Sequence, residues 1–204
     1  MVVSDSVAAR LFIFDGLGKF IGTIGRGIVG KPAGIAIDRF NGRIFVCDLS
    51  THQVLVLSPD GELLARIGKR GARSGEFNFP TNLAIDSRHN LYVSDTLNSR
   101  VQMFDAGHRF VQSIGESGNF PGYFSQPKGI AVDSDNHLYV VDNRQEIVQL
   151  FDMSKRLLLF FGGEGTGPGQ FWLPTGICID SQNRIWIADT YNKRIAVFDY
   201  LPEK

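Results

Sequence analysis

Four aspartates, Asp48, Asp95, Asp142 and Asp189, stand at equal intervals of 47 residues. Carboxylates so spaced could ring a cation together, or each could accept backbone N–H groups in its own tight turn. The residues that follow favour the turn. Asp95-Thr96-Leu97-Asn98-Ser99-Arg100 and Asp189-Thr190-Tyr191-Asn192-Lys193-Arg194 place an asparagine three residues on and an arginine five residues on as polar partners for the carboxylate. A role repeated in every copy is a folding role, whereas a ligand site breaks the symmetry of a repeat. Asp48, Asp95, Asp142 and Asp189, with Asn98, Asn192, Arg100 and Arg194, are therefore read as structural turn caps. The informative residues are those that differ between copies at loop positions: His52, Asn82, Lys128, Arg144 and Glu146, with Thr81 and Thr175 beside them. These seven form the expected partner-binding rim.

Other chemistries fail on spacing. Gly162-Gly-Glu-Gly-Thr-Gly-Pro-Gly169 resembles a phosphate cradle in composition, but no helix start follows it and no Gly-Lys-Ser/Thr accompanies it, so it reads as a linker. Asp133-Ser-Asp135-Asn136 opens like a calcium loop, yet the helix–loop–helix offsets then put Leu138 at the glycine position and Arg144 at the bidentate glutamate position. No Gly-x-Ser-x-Gly elbow occurs. Cys47 and Cys178 are too few for a disulfide framework and too far apart for a paired metal motif. Both occupy slots held by small residues elsewhere and are expected to be buried small apolar groups. The reading assigns no catalytic residue, no metal ligand and no cofactor.

The elements that position these residues follow from self-comparison. Pro32-Ala-Gly-Ile-Ala-Ile-Asp38 recurs as Pro80-Thr-Asn-Leu-Ala-Ile-Asp86, Pro127-Lys-Gly-Ile-Ala-Val-Asp133 and Pro174-Thr-Gly-Ile-Cys-Ile-Asp180. Each copy continues through runs such as Leu91-Tyr-Val-Ser-Asp95, Val101-Gln-Met-Phe-Asp105 and Phe110-Val-Gln-Ser-Ile-Gly115. Short alternating runs rich in Ile, Val, Phe and Tyr, separated by Gly, Asp, Asn, Ser and Pro, are strands. Four per unit, named a to d from the axis outward, predict an all-β propeller of four-stranded antiparallel blades. The chain is one domain of about four and a half blades: a partial blade over 1–31, repeats at about 32–79, 80–126 and 127–173, and a partial last blade over 174–204. Alternate small residues of strand a, such as Gly34 and Gly129, suit the crowded axis.

The signature Leu-Tyr-Val-x-Asp-Thr-x-Asn-x-Arg-Val, complete at Leu91–Val101 and Ile185–Ile195, resembles the NHL-repeat family of β-propellers over nearly the whole chain. Asp48-Leu-Ser-Thr-His-Gln-Val and Asp142-Asn-Arg-Gln-Glu-Ile depart from it. The resemblance is to bacterial members of six blades, and implies an exported protein, periplasmic or extracellular, with the signal outside this chain; a cytoplasmic protein is the alternative. The sequence supplies strands b, c and d of the first blade and a, b and c of the last. It is therefore expected to be the C-terminal part of a longer propeller, the alternative being a ring that closes irregularly or self-associates through its open edges.

Composition narrows the function. Lys+Arg and Asp+Glu are 21 each, which sets against binding a polyanion by bulk charge, and no apolar run reaches membrane-spanning length. The long d-to-a loops share one rim with the b-to-c turns, and that rim is the expected binding face. Family members that act as lyases or hydrolases hold a metal on channel histidines. Here His89 and His137 fall in a-to-b turns and His108 in a c-to-d turn, leaving only His52 on the expected rim. The reading leans against an enzyme. RNA binding is disfavoured because Glu76, Glu116 and Glu164 share the loops that carry Lys69, Arg70 and Arg73. The loop aromatics Phe79, Tyr123 and Trp172 are expected to fill gaps between blades rather than to stack on bases. The function expected is a non-enzymatic scaffold that presents one rim to a protein, a peptide or a small molecule. Two alternatives stay open: a lyase or hydrolase whose metal site other blades complete, and an RNA-binding surface.

Overall fold

The computed structural model describes residues 1–199; the last five positions of the final partial blade, 200–204, lie outside the described residues. Among the described residues, period-two patterning yields 18 strands in five separate antiparallel sheets. Blade 1 has three strands, β1 Val2–Asp5, β2 Arg10–Phe14 and β3 Phe20–Ile24. Blade 2 is β4 Pro32–Ile37, β5 Ile44–Asp48, β6 Gln53–Leu57 and β7 Leu63–Ile67. Blade 3 is β8 Pro80–Ile85, β9 Leu91–Asp95, β10 Arg100–Phe104 and β11 Phe110–Ile114. Blade 4 is β12 Pro127–Val132, β13 Leu138–Asp142, β14 Ile147–Phe151 and β15 Leu157–Gly162. Blade 5 has three described strands, β16 Gly176–Ile179, β17 Ile185–Asp189 and β18 Arg194–Phe198. By its pairing, β1 is a b strand and blade 1 has no a strand among the described residues.

The first strands of successive blades pack on one another, β4 on β8, β8 on β12 and β12 on β16. This convergence is why strand a carries glycine. A Cβ on Gly34 would stand 2.7 Å from Asn82 Cα, and one on Gly129 would stand 2.8 Å from Thr175 O, distances that no real side chain tolerates. The core lies in the seams between blades. Phe45, Cys47, Val54 and Val56 of blade 2 meet Leu83, Leu91, Val93 and Phe104 of blade 3, and the same pattern recurs along the next two seams. Each full seam is closed by a phenylalanine from the long d-to-a loop, Phe77, Phe124 or Phe171, each fully buried. A Cβ on Gly115, whose φ is +77°, would collide with the Phe124 ring, so the loop can turn over its own plug only through glycine.

Two expectations are corrected here. Phe79, Tyr123 and Trp172 are not the gap fillers, since they are 36%, 47% and 45% exposed, while residues one or two positions away are the plugs. Cys47 is buried, and its thiol pKa is pushed well up by burial and by Asp48, but Cys178 is exposed. Cys178 shares a register with Trp186 and Val197 on the outward sheet face of blade 5, which no further blade covers among the described residues. Blade 1 shows the matching open face, with Val3 and Phe20 exposed.

Candidate functional site

The rim is built from the inside by the four repeated aspartates. Each carboxylate is fully buried and reaches back 16 to 18 residues to the loop that precedes its own strand a. Asp48 accepts the N–H groups of Gly30 (2.9 Å), Lys31 (3.0 Å) and Ser50 (2.9 Å), and the Ser50 hydroxyl at 2.6 Å. Burial alone would raise its pKa, but these donors outweigh it and hold the carboxyl below the usual range. Asp142 accepts from the backbone of Ser125, Gln126, Arg144 and Gln145. Asp95 takes Asn78 N–H at 2.6 Å, Asn98 Nδ2 and Arg100 Nε at 2.8 Å each, and Gln102 Nε2 at 3.0 Å. Asp189 repeats the set with Trp172 N–H, Asn192 and Arg194.

The arginines brace the same loops. Arg100 Nη2 donates to the carbonyls of Arg73 and Glu76, and Arg194 to those of Thr166, Gly167 and Gln170. In blade 4, where the signature lapses, glutamine takes over: Gln145 and Gln149 both donate to Tyr123 O. A long loop fixed at both ends and across its middle is a rigid platform.

The seven expected rim residues do not form one cluster. Thr81, Asn82, Lys128 and Thr175 begin the successive inner strands and are half-buried around the axis. Thr81 pairs its hydroxyl with Thr96 at 2.6 Å, and Thr175 pairs with Thr190 at 2.7 Å. Ser94 donates to the Lys128 carbonyl at 2.6 Å, while the Lys128 ammonium has no ion pair among the described residues. Arg144 is exposed.

His52 and Glu146 occupy equivalent left-handed positions ahead of strand c, with φ of 56° and 58°. Both tie their own blade to the next. His52 Nδ1 accepts Phe79 N–H at 3.0 Å, and Glu146 Oε1 accepts Leu173 N–H at 3.2 Å. Burial, with the charges of Glu164 and Asp189 nearby, raises the Glu146 pKa against the lowering by the Leu173 donor.

The other histidines lie elsewhere. His89 meets Asp38 at 3.1 Å and His137 meets Asp133 at 3.0 Å, while His108 stands edge-on to Phe45, its pKa lowered by burial and by Arg43. Among the described residues no three His, Cys, Asp or Glu side chains are grouped to hold a metal ion.

The feature that sequence reasoning missed is aromatic. Trp172 and Tyr191 stack at 5.4 Å between centroids, tilted by 41°, and His52 and Phe79 meet at 5.9 Å. Phe120 and Leu97 stand exposed on the same class of loops and turns. A signal was present: Phe77, Phe124 and Phe171 recur at 47 residues and are the plugs, whereas Phe79, Tyr123 and Trp172 fall on different positions of the repeat.

Comparison with known proteins agrees with this architecture. Residues 34–93 and 87–159 match the family described as 6-bladed beta-propeller, and residues 171–198 match the NHL repeat. The structure is similar to virginiamycin B lyase from Staphylococcus aureus, with 15% identity and a TM-score of 0.67 over 99% of this chain and 67% of that one. It is also similar to a protein of unknown function from Bacteroides thetaiotaomicron, with 21% identity and a TM-score of 0.70 over 93% of this chain and 54% of that one. A proposed gluconolactonase gives 13% identity and a TM-score of 0.72 over 99% of this chain and 74% of that one. The chain thus spans between about half and three quarters of the lengths of these structures.

Proposed function

The chain belongs to the 6-bladed β-propeller family, and we propose that within it this protein is a binding scaffold whose long-loop rim receives a protein or peptide partner. The observation that carries the reading is the combination of braced loops with exposed aromatic side chains, above all the Trp172–Tyr191 pair. Exposed tryptophan and tyrosine on a rigid frame supply large contact area at small cost in conformational entropy, and such residues concentrate binding energy at interfaces. Lys128, half-buried at the axis and without an ion pair among the described residues, gives the rim a cation for an acidic or carbonyl group of the partner. The likeness to the lyase is a likeness of fold, and the histidines described above are dispersed over different turns. No helix among the described residues is long and apolar enough to cross a membrane.

The test is selection of binding peptides from a displayed library on the 204-residue chain, followed by titration against variants. Trp172→Ala and Lys128→Ala should each weaken the selected peptides at least about tenfold, the effect of losing one interface anchor, while the melting temperature stays within about 2 °C. Selected peptides that bind both variants as tightly as the parent would overturn the reading.

A further inference from the structure

The full blades share one 47-residue plan, so a place where one blade departs from its equivalents stands out. Where the outer half of blade 3 meets the turn between β14 and β15 of blade 4, the surface opens into a cleft of about 670 Å³. Arg100 of β10, Asn98 of the turn before it and Ser113 of β11 line one part. Glu116, Ser117 and Tyr123 come from the d-to-a loop, and Lys155 from the turn of blade 4. Both blades are complete four-stranded sheets.

In blade 2 the same places are filled from within. Arg66 stands for Ser113 and reaches Gln53, the equivalent of Arg100, at 3.5 Å, while Lys69 and Glu76, the equivalents of Glu116 and Tyr123, pair at 3.4 Å. In blade 4, Ile147, Phe160, Gly163 and Gln170 take the places of Arg100, Ser113, Glu116 and Tyr123, so the charges and the ring are gone. The lining of the blade 3 cleft is fixed in place, yet its polar ends are unspent. Arg100 is held by Asp95 and by the carbonyls of Arg73 and Glu76, Gly122 N–H donates to Gln149 at 2.6 Å, and Tyr123 O accepts from Gln145 and Gln149. The side chains of Ser113, Glu116, Ser117, Tyr123 and Lys155 make no hydrogen bond or ion pair among the described residues.

We propose that this cleft binds an acidic saccharide, a polyhydroxylated ring that carries a carboxylate. No aliphatic side chain lines it, so an apolar ligand would strand the polar groups without partners. The exposed Lys155 ammonium receives the carboxylate, and the braced Arg100 adds a fixed positive charge to the same space. Glu116 sets against a multiply charged anion such as phosphate, and it accepts ring hydroxyls instead. Ser113 and Ser117 donate or accept, and Asn98, whose amide N–H groups are spent on Gly71 O and Asp95, keeps its carbonyl oxygen as an acceptor. The Tyr123 ring, 47% exposed, gives a flat apolar face for the C–H side of the sugar. A volume of about 670 Å³ lies within the range of small-molecule clefts. The cleft is distinct from the Trp172–Tyr191 pair, and its occupancy does not depend on the peptide reading.

The probe is trigalacturonic acid, titrated calorimetrically into the 204-residue chain, with maltotriose as the uncharged sugar and pentaglutamate and inorganic phosphate as anions without a sugar face. Saturable binding of trigalacturonate, at least about tenfold tighter than any of the three, is expected. Tyr123→Ala should weaken it at least about tenfold, and Lys155→Ala should reduce it to the level of the uncharged sugar. Ser113→Arg places in the cleft the residue that blade 2 carries there, and it should abolish binding while the melting temperature stays within about 2 °C. Three results would each overturn the proposal: no saturation by about 10 mM trigalacturonate, pentaglutamate or phosphate binding as tightly as the sugar acid, or unchanged binding by the folded Ser113→Arg chain.

Discussion

Asp95 shows how much one side chain organises. Its carboxylate is buried, yet it satisfies a loop N–H, an asparagine, a glutamine and the largely buried Arg100 at once. Asp95→Ala leaves those donors, one of them charged, without an acceptor. A loss of about 3 kcal/mol is expected, a fall in melting temperature of roughly 6–12 °C for a chain of this size. Scanning calorimetry on the purified variant checks it, and a melting temperature equal to the parent's contradicts the cap role. Glu146 makes the opposite case. Its pKa is raised in the folded chain, so its contribution is fully present below the unfolded carboxyl pKa and is lost as pH rises through the folded value. Glu146→Gln keeps an acceptor for Leu173 and removes the charge. The variant should therefore melt above the parent at pH 7, with the difference vanishing near pH 4.

At the scale of the element, the d-to-a loop is the unit that makes the rim. It folds over a phenylalanine plug and is bridged back on itself, Ser117 beside Phe124 and Glu164 beside Phe171. Adjacent residues in this loop do different work because their side chains leave the backbone in different directions. Phe124→Ala opens a seam and should cost about 3–5 kcal/mol, whereas Tyr123→Ala, at 47% exposure, should cost less than about 0.5 kcal/mol. Urea unfolding of the two variants measures the contrast. The resemblance carried by Asp-Thr-x-Asn-x-Arg foretold the turn and the bracing partners. It was silent on how blades 2 and 4 manage without it: there the Ser50 hydroxyl donates to Asp48, and Gln145 donates to Asp142 and to Gly118 O as Asn98 does to Asp95 and Gly71 O.

At the scale of the whole molecule, five sheets in sequence leave one apolar face open at each end among the described residues, Val3 and Phe20 on one side and Trp186, Ile195 and Val197 on the other. Contiguous exposed apolar surface drives association. Ile195→Lys, at a side chain 60% exposed, should lower self-association in static light scattering while leaving the melting temperature within about 2 °C. What the sequence by itself determined is whatever repeats every 47 residues: the all-β propeller, its strand order, the aspartate turns and the small residues of strand a. Those properties are local, because period-two patterning and turn chemistry act within a few residues of chain. Only the tertiary structure decided burial. Cys178 stands at the position of Ala131, yet one is exposed and the other buried, because a neighbouring blade covers Ala131 and none of the described residues covers Cys178. His52 and Glu146 likewise looked free to meet a ligand until the next blade brought Phe79 and Leu173 to them from 27 residues away. Exposure and partnership belong to pairs of blades, and no single repeat contains both members of the pair.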